Sequence, residues 1–274
     1  MLTPFLQTMG ATAAGLLAGA GVMHLVPRLG APGRALASWL CRAPGLDVVV
    51  TYFTVLPLIL GPVYAGWIGL LGAVVGQFVG VVVWTFLHEL ANPSAAKGPR
   101  IKKVMNRRVG TVRNYAAVWW TAWAVPVFWI VRVAEYLVYP VCRWLTHMPT
   151  YKSAEWVNVS RHKFKGLVGH DLIWCLYCDW MTGVWSLGTE MLRNIESFWC
   201  PIRFDDSKKC ANCAIDFPDV NNGWAPADGT MSDVTRVLEE KYSADTKTLA
   251  WFGHPVRLTV EGRESGSGNE GSMT

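Results

Sequence analysis

Apolar positions run in long unbroken tracts up to about residue 142 and in short periodic stretches after it. The first tract, residues 5–26, holds no Asp, Glu, Lys or Arg. A bilayer core needs roughly 20 such residues, so the tract predicts a transmembrane helix. No Lys or Arg precedes Arg28; the basic start of a signal peptide is missing, and the helix is expected to be retained. Gly15 and Gly19 form a small-xxx-small pair that admits close approach of another helix.

The next tract, residues 48–87, is long enough for two spans. Gly61, Pro62, Gly66 and Trp67 mark the turn between them, because Gly and Pro punctuate helices. Gly69, Gly72, Gly76 and Gly80 then recur every three or four residues and predict a smooth stripe for tight helix packing. Gln77 lies within that helix, with His88 and Glu89 at its end.

Residues 115–141 carry Trp119, Trp120 and Trp123, then Pro126, then Arg132 and Glu135. Basic residues flank them on both sides: Lys97, Arg100, Lys102, Lys103, Arg107, Arg108 and Arg113 before, and Arg143, Lys152, Arg161, Lys163 and Lys165 after. A span here would put two strongly basic flanks on opposite faces, against the positive-inside tendency. An interfacial or re-entrant segment keeps them together and suits the tryptophans and the proline. The expected topology therefore has three crossings and a cytoplasmic C-terminal half. A full span at 115–141 would move that half outside.

Beyond residue 142 the periods shorten. Residues 151–165 read as a basic amphipathic connector and 171–198 as a helix, weakened by Gly183 and Gly188. Thr230 and Asp233 give a capping-box start to a short helix over 231–242. Residues 255–260 alternate like a strand, and 261–274 are Gly/Ser-rich and expected to be disordered. The fold class expected is mainly α. It is a polytopic membrane protein of about three transmembrane helices plus an interfacial or re-entrant Trp-rich segment, with a small, mostly helical, loop-rich extramembrane domain. The expected divisions are 1–142, 143–261 and 262–274.

Composition agrees. The chain is 51% hydrophobic and only 16% charged, whereas soluble domains carry about 25% charged residues. An ordinary soluble domain is thereby excluded. The net charge of +5 is mild, and the basic residues cluster beside apolar tracts as topology and lipid-surface signals. The basic loop at 97–113 lacks interleaved aromatics, so nucleic acid is not an expected partner.

The candidate chemistry lies in the cysteines. Five of the seven, Cys175, Cys178, Cys200, Cys210 and Cys213, fall in one stretch. An odd total rules out complete pairing within the chain. Cys175, Cys178, Cys210 and Cys213 form two Cys-x-x-Cys pairs, the ligand set of a tetrahedral thiolate site. Their separation exceeds the usual roughly 15–20 residues of a zinc ribbon. Zinc is the expected metal because paired thiolates suit it. Iron or an iron–sulfur cluster is the alternative, with Cys200-Pro201 as a further ligand. A Cys175–Cys178 dithiol lacks the βαβ setting such motifs use. Buried, reduced cysteines packing as small hydrophobes are the bland alternative, and Cys41 and Cys142 fit it. The pair His88-Glu89 resembles the start of a zinc-hydrolase helix, but Asn92 stands where the second His belongs.

The expected function is a non-catalytic accessory or scaffold subunit of a membrane complex, with a structural four-cysteine zinc site. Its partners would be the bilayer and other membrane subunits through glycine-rich helix faces. The second reading is a membrane-anchored redox or electron-transfer protein, and the third a lipid-modifying enzyme around His88 and Glu89.

Overall fold

The computed structural model describes residues 2–202 and 223–242, with the backbone of two short strands at 256–258 and 264–266. The described chain is mainly helical. It divides into two compact units, 1–128 with 153–183, and 129–152 with 184–274. Among the described residues, three stretches are long and apolar enough to cross a membrane: Leu2–Arg28, Gly45–Ala91 and Thr111–Thr146.

In the first unit, α1 (Leu2–Leu25) is followed by α2 (Gly30–Leu40), α3 (Gly45–Thr54) and α4 (Leu56–Ala91). α4 is a hairpin. Ala65 and Gly66 leave helical geometry, and Gly66 takes φ +57°, a left-handed value that favours glycine. A Cβ on Gly61 would lie 2.5 Å from the Gly69 carbonyl oxygen. Residues eight apart on a straight helix stand about 12 Å apart, so the chain reverses between them. The break between α3 and α4 is covered by Gln77, whose Nε2 donates to the carbonyls of Phe53 and Thr54 at 2.9 Å each. These belong to the last turn of α3, where helix carbonyls lack intrahelical partners.

The glycine stripe is filled from within the chain. A Cβ on Gly72 would meet Phe5 O at 2.7 Å, and one on Gly76 would meet Met9 O at 2.6 Å. Gly80 is looser, 3.4 Å from Leu16 Cδ1. Residue numbers rise together along both helices, so α1 and residues 67–91 run parallel. Tyr52 Oη donates to Gly15 O at 2.6 Å, and Tyr64 Oη to Gln7 Oε1 at 2.8 Å, so the intervening limb runs the other way. Gly15 and Gly19 do admit a neighbour, the ring of Tyr52.

Three shorter helices follow: α5 (Pro93–Lys97), α6 (Ile101–Val109) and α7 (Thr111–Trp120). A 3-10 turn at Thr121–Ala124 leads into α8 (Val125–Thr146). Pro126 sits in the first turn of α8, where its missing N–H costs no helical bond. After α9 (Ser153–Trp156) comes α10 (Gly169–Trp199), one continuous helix despite its glycines. Gly183 is there for space: a Cβ would stand 2.5 Å from Trp156 O.

In the second unit, polar side chains are buried where apolar ones would be expected. Arg132 is fully buried in an ion pair with Glu135, and its Nη2 donates to Tyr136 Oη at 2.7 Å. Glu190, Arg193, Asn194 and Ser197 are buried at helical spacing along one face of α10. Gly188 brings that helix close to α8, since a Cβ would lie 2.7 Å from Val131 Cγ1. The last helix, α11 (Met231–Lys241), starts at the predicted capping box, with Thr230 N donating to Asp233 Oδ2 at 2.8 Å. Its buried Val234 and Val237 pack with Ala225 and Leu238. Strands β1 (Val256–Leu258) and β2 (Glu264–Gly266) pair antiparallel.

Candidate functional site

Two constellations in the first unit carry polar chemistry. The larger one gathers where α4 ends and α10 begins. Arg100, the residue ahead of α6, is its centre, with a side chain only 1% exposed. Its Nε donates to Asp171 Oδ2 at 2.7 Å, and its Nη2 to Glu89 Oε1 at 2.8 Å and to Val168 O at 2.9 Å. Lys102 Nζ reaches the Glu89 oxygens at 2.8 and 3.2 Å. Asp171 Oδ1 accepts the Lys102 backbone N–H at 3.1 Å, which places a carboxylate at the N-terminus of α6, the favourable end of the helix dipole. Two cations meet two anions, so the cluster is neutral in sum and every one of these groups has a partner.

Histidines and aromatics surround it. Gly169 N donates to His88 Nδ1 at 3.2 Å, and Trp174 Nε1 to His170 Nε2 at 3.1 Å. His24 stacks on His88 with centroids 5.6 Å apart, and Tyr115 meets His170 edge-on at 4.8 Å. Gly169 has φ +52°, and a Cβ there would collide with Glu89; this turn requires glycine.

Burial by itself would raise the Asp171 carboxyl. The neighbouring His170 and the guanidinium of Arg100 outweigh it and hold the group down to about 2. His170 Nδ1 stands 3.9 Å from Asp171 Oδ1. That distance suits an ion pair and is too long for a hydrogen bond, so the two bonds at 2.7 and 3.1 Å hold the carboxylate in place. An unfolded Asp titrates near 3.9. Because the folded value is depressed, the contribution to stability is present above about pH 4 and is lost as pH falls toward 2. Thermal melts of the full chain across this window are expected to show that loss, and Asp171→Asn to flatten it. An equal slope in both proteins would count against the assignment.

The second constellation is the half-buried pair Cys175 and Cys178, one turn apart on α10. Both are free thiols. Asp179, next in sequence, accepts the backbone N–H groups of Ser160 and Arg161 at 2.9 Å and pairs with Arg161 Nε at 2.7 Å. The pair therefore sits on an ordered helix tied to the preceding loop. Burial pushes the Cys175 thiol up, with Arg161 opposing.

Of the four predicted ligands, Cys175 and Cys178 are brought together, while Cys210 and Cys213 lie outside the described residues. Cys200 is exposed just beyond the end of α10. Among the described residues, no group of three or more His, Cys, Asp and Glu is arranged to hold a metal. Of the cluster, Glu89 stands out in the sequence beside His88, whereas Arg100 reads only as a flanking basic residue and Asp171 carries no signal. Arg100 stands inside a run of basic residues that looks uniformly solvated, and Asp171 is a single acid at the start of a helix.

Comparison with protein-family models, with curated proteins and with solved structures gave no match.

Proposed function

We propose that the chain is an integral membrane protein acting as a non-catalytic accessory or scaffold subunit of a membrane complex. In this reading Cys175, Cys178, Cys210 and Cys213 hold a structural zinc on the cytoplasmic side. The observation that carries the non-catalytic reading is the closed pairing of the Arg100 cluster. Its carboxylates are satisfied by Arg100 and Lys102, which suits a clasp and not a poised acid or base. The same saturation of Glu89 speaks against a lipid-modifying centre at His88 and Glu89.

Support for the membrane setting comes from the three long apolar stretches and from residues 97–113, which carry seven basic residues and no acid. In this reading the Trp-rich segment, although Thr111–Thr146 is long and apolar enough to cross, is broken at the 3-10 turn Thr121–Ala124 and lies in the interface or re-enters from it, keeping the basic flanks on one side. Partner subunits dock on surfaces other than residues 72–80, because α1 occupies that face.

The alternative is an electron-transfer protein with iron at the same cysteines. A dithiol catalyst fits less well. Its reactive thiol is normally lowered by its surroundings, whereas Cys175 is raised.

Metal analysis and an absorption spectrum on full-length protein purified without chelator separate the readings. Colourless protein with bound zinc is expected, and Cys178→Ser is expected to release the metal and lower the melting temperature. Visible charge-transfer bands would favour iron. Unchanged metal content and melt in the variant would sink the four-cysteine assignment.

A further inference from the structure

We infer that α6 is a docking element for an anionic lipid surface, which goes beyond the topological role of its basic residues. Unlike a soluble surface helix, it turns two polar residues toward the protein and leaves its apolar residues exposed. Lys102 and Asn106 turn toward the protein: Lys102 Nζ binds Glu89 at 2.8 Å, and Asn106 Oδ1 accepts from Asn114 Nδ2 at 2.8 Å. The apolar residues point outward. Ile101 is 54% exposed, Val104 42%, Met105 40% and Val109 49%, and their spacing places them on one helix face. Lys103, Arg107 and Arg108 are also exposed.

The occupant of such a surface has to cover apolar side chains and neutralise cations together. A lipid monolayer with anionic headgroups does both, through acyl-chain contact and surface potential. A nucleic acid supplies the charge and leaves the apolar row uncovered. Position favours lipid as well. The ion pairs of Arg100 and Lys102 with Glu89 fix the start of α6 at the end of the apolar helix α4, the level at which headgroups begin in the membrane reading. The proposal rests on that reading and is independent of the thiolate site.

The test is amide hydrogen exchange on the full chain in nanodiscs of phosphatidylcholine, with and without phosphatidylglycerol. Residues 101–109 are expected to exchange at least about tenfold more slowly in the anionic discs, the scale set by several basic groups near a charged surface. The triple variant Lys103→Glu, Arg107→Glu, Arg108→Glu is expected to lose the lipid dependence. A second variant, Val104→Ser with Met105→Ser, keeps the charge and is expected to lose most of the protection. Exchange across α1 reports folding in both. Equal exchange of α6 in the two lipids overturns the proposal. So does protection by a duplex oligonucleotide on neutral discs without protection by anionic lipid. Failure of the chain to enter discs of either lipid overturns the membrane reading and this proposal with it.

Discussion

Arg100→Met is expected to leave little folded protein. The substitution keeps an apolar stem but strands Asp171, whose side chain is 4% exposed, and Glu89, at 22%, without their shared cation. Breaking a buried pair from one side costs about 3–5 kcal/mol, because an uncompensated charge stays buried. That is a large share of a typical 5–15 kcal/mol total. The measurement is the fraction of full-length protein that stays monodisperse on gel filtration after graded heating in detergent. Lys102→Met removes a more exposed partner and is expected to cost about 1 kcal/mol or less. Replacing Arg100, Glu89 and Asp171 together by Met, Gln and Asn is expected to recover much of the loss. A melt for Arg100→Met within a degree or two of the parent would mean that the cluster does not hold the unit together.

Gly69→Ala is expected to open the α4 hairpin. Its new methyl group would collide with the Gly61 carbonyl, and a Cβ on Gly61 would in turn stand only 2.5 Å from the Gly69 carbonyl oxygen. Backbone on both sides leaves no flexible group to yield, so the cost is expected at about 3 kcal/mol or more, the upper range for overpacking. Gly80→Ala is the control on the same helix. Its Cβ would meet Leu16 Cδ1 at 3.4 Å, an ordinary contact, and alanine gains up to about 1 kcal/mol in helix propensity. The ordering of melting temperatures, Gly69→Ala far below the parent and Gly80→Ala level with it or above, is the outcome to check. Equal melts would show that the reversal at Gly66 is not held by the Gly61–Gly69 approach.

Several elements were readable before any coordinates. The apolar tracts, the hairpin at Gly66 and the capping box at Thr230 rest on local signals: run length, a positive-φ glycine and a Thr–Asp capping box. What filled the glycine stripe was not readable, because a smooth face says that something packs closely without saying what. Partner subunits are one expectation for such a face, and the chain itself supplies α1 at Gly72, Gly76 and Gly80. The Arg100 cluster was hidden for a related reason. Its members come from positions 89, 100, 102 and 171, and nothing in the sequence between them marks the pairing. Arg132 and Glu135 stand in the Trp-rich segment as a polar pair, and both are buried in the second unit. One segment carries both polar pair and apolar run, and only packing shows which faces inward. The paired cysteines of α10 are placed by helix periodicity, while Cys210 and Cys213 lie outside the described residues.

The parallel pairing of α1 with the end of α4 also sets a schedule for biosynthesis. α1 leaves the ribosome before α4, and the groups it packs on come much later. Tyr52, which seats against Gly15, follows it by 37 residues, and Tyr64, which binds Gln7, lies 57 further on than its partner. The glycines that receive Phe5 and Met9 come later still. A nascent chain halted before Gly72 therefore holds an N-terminal helix with much of its packing surface bare, a state that membrane chaperones and quality-control proteases are built to recognise.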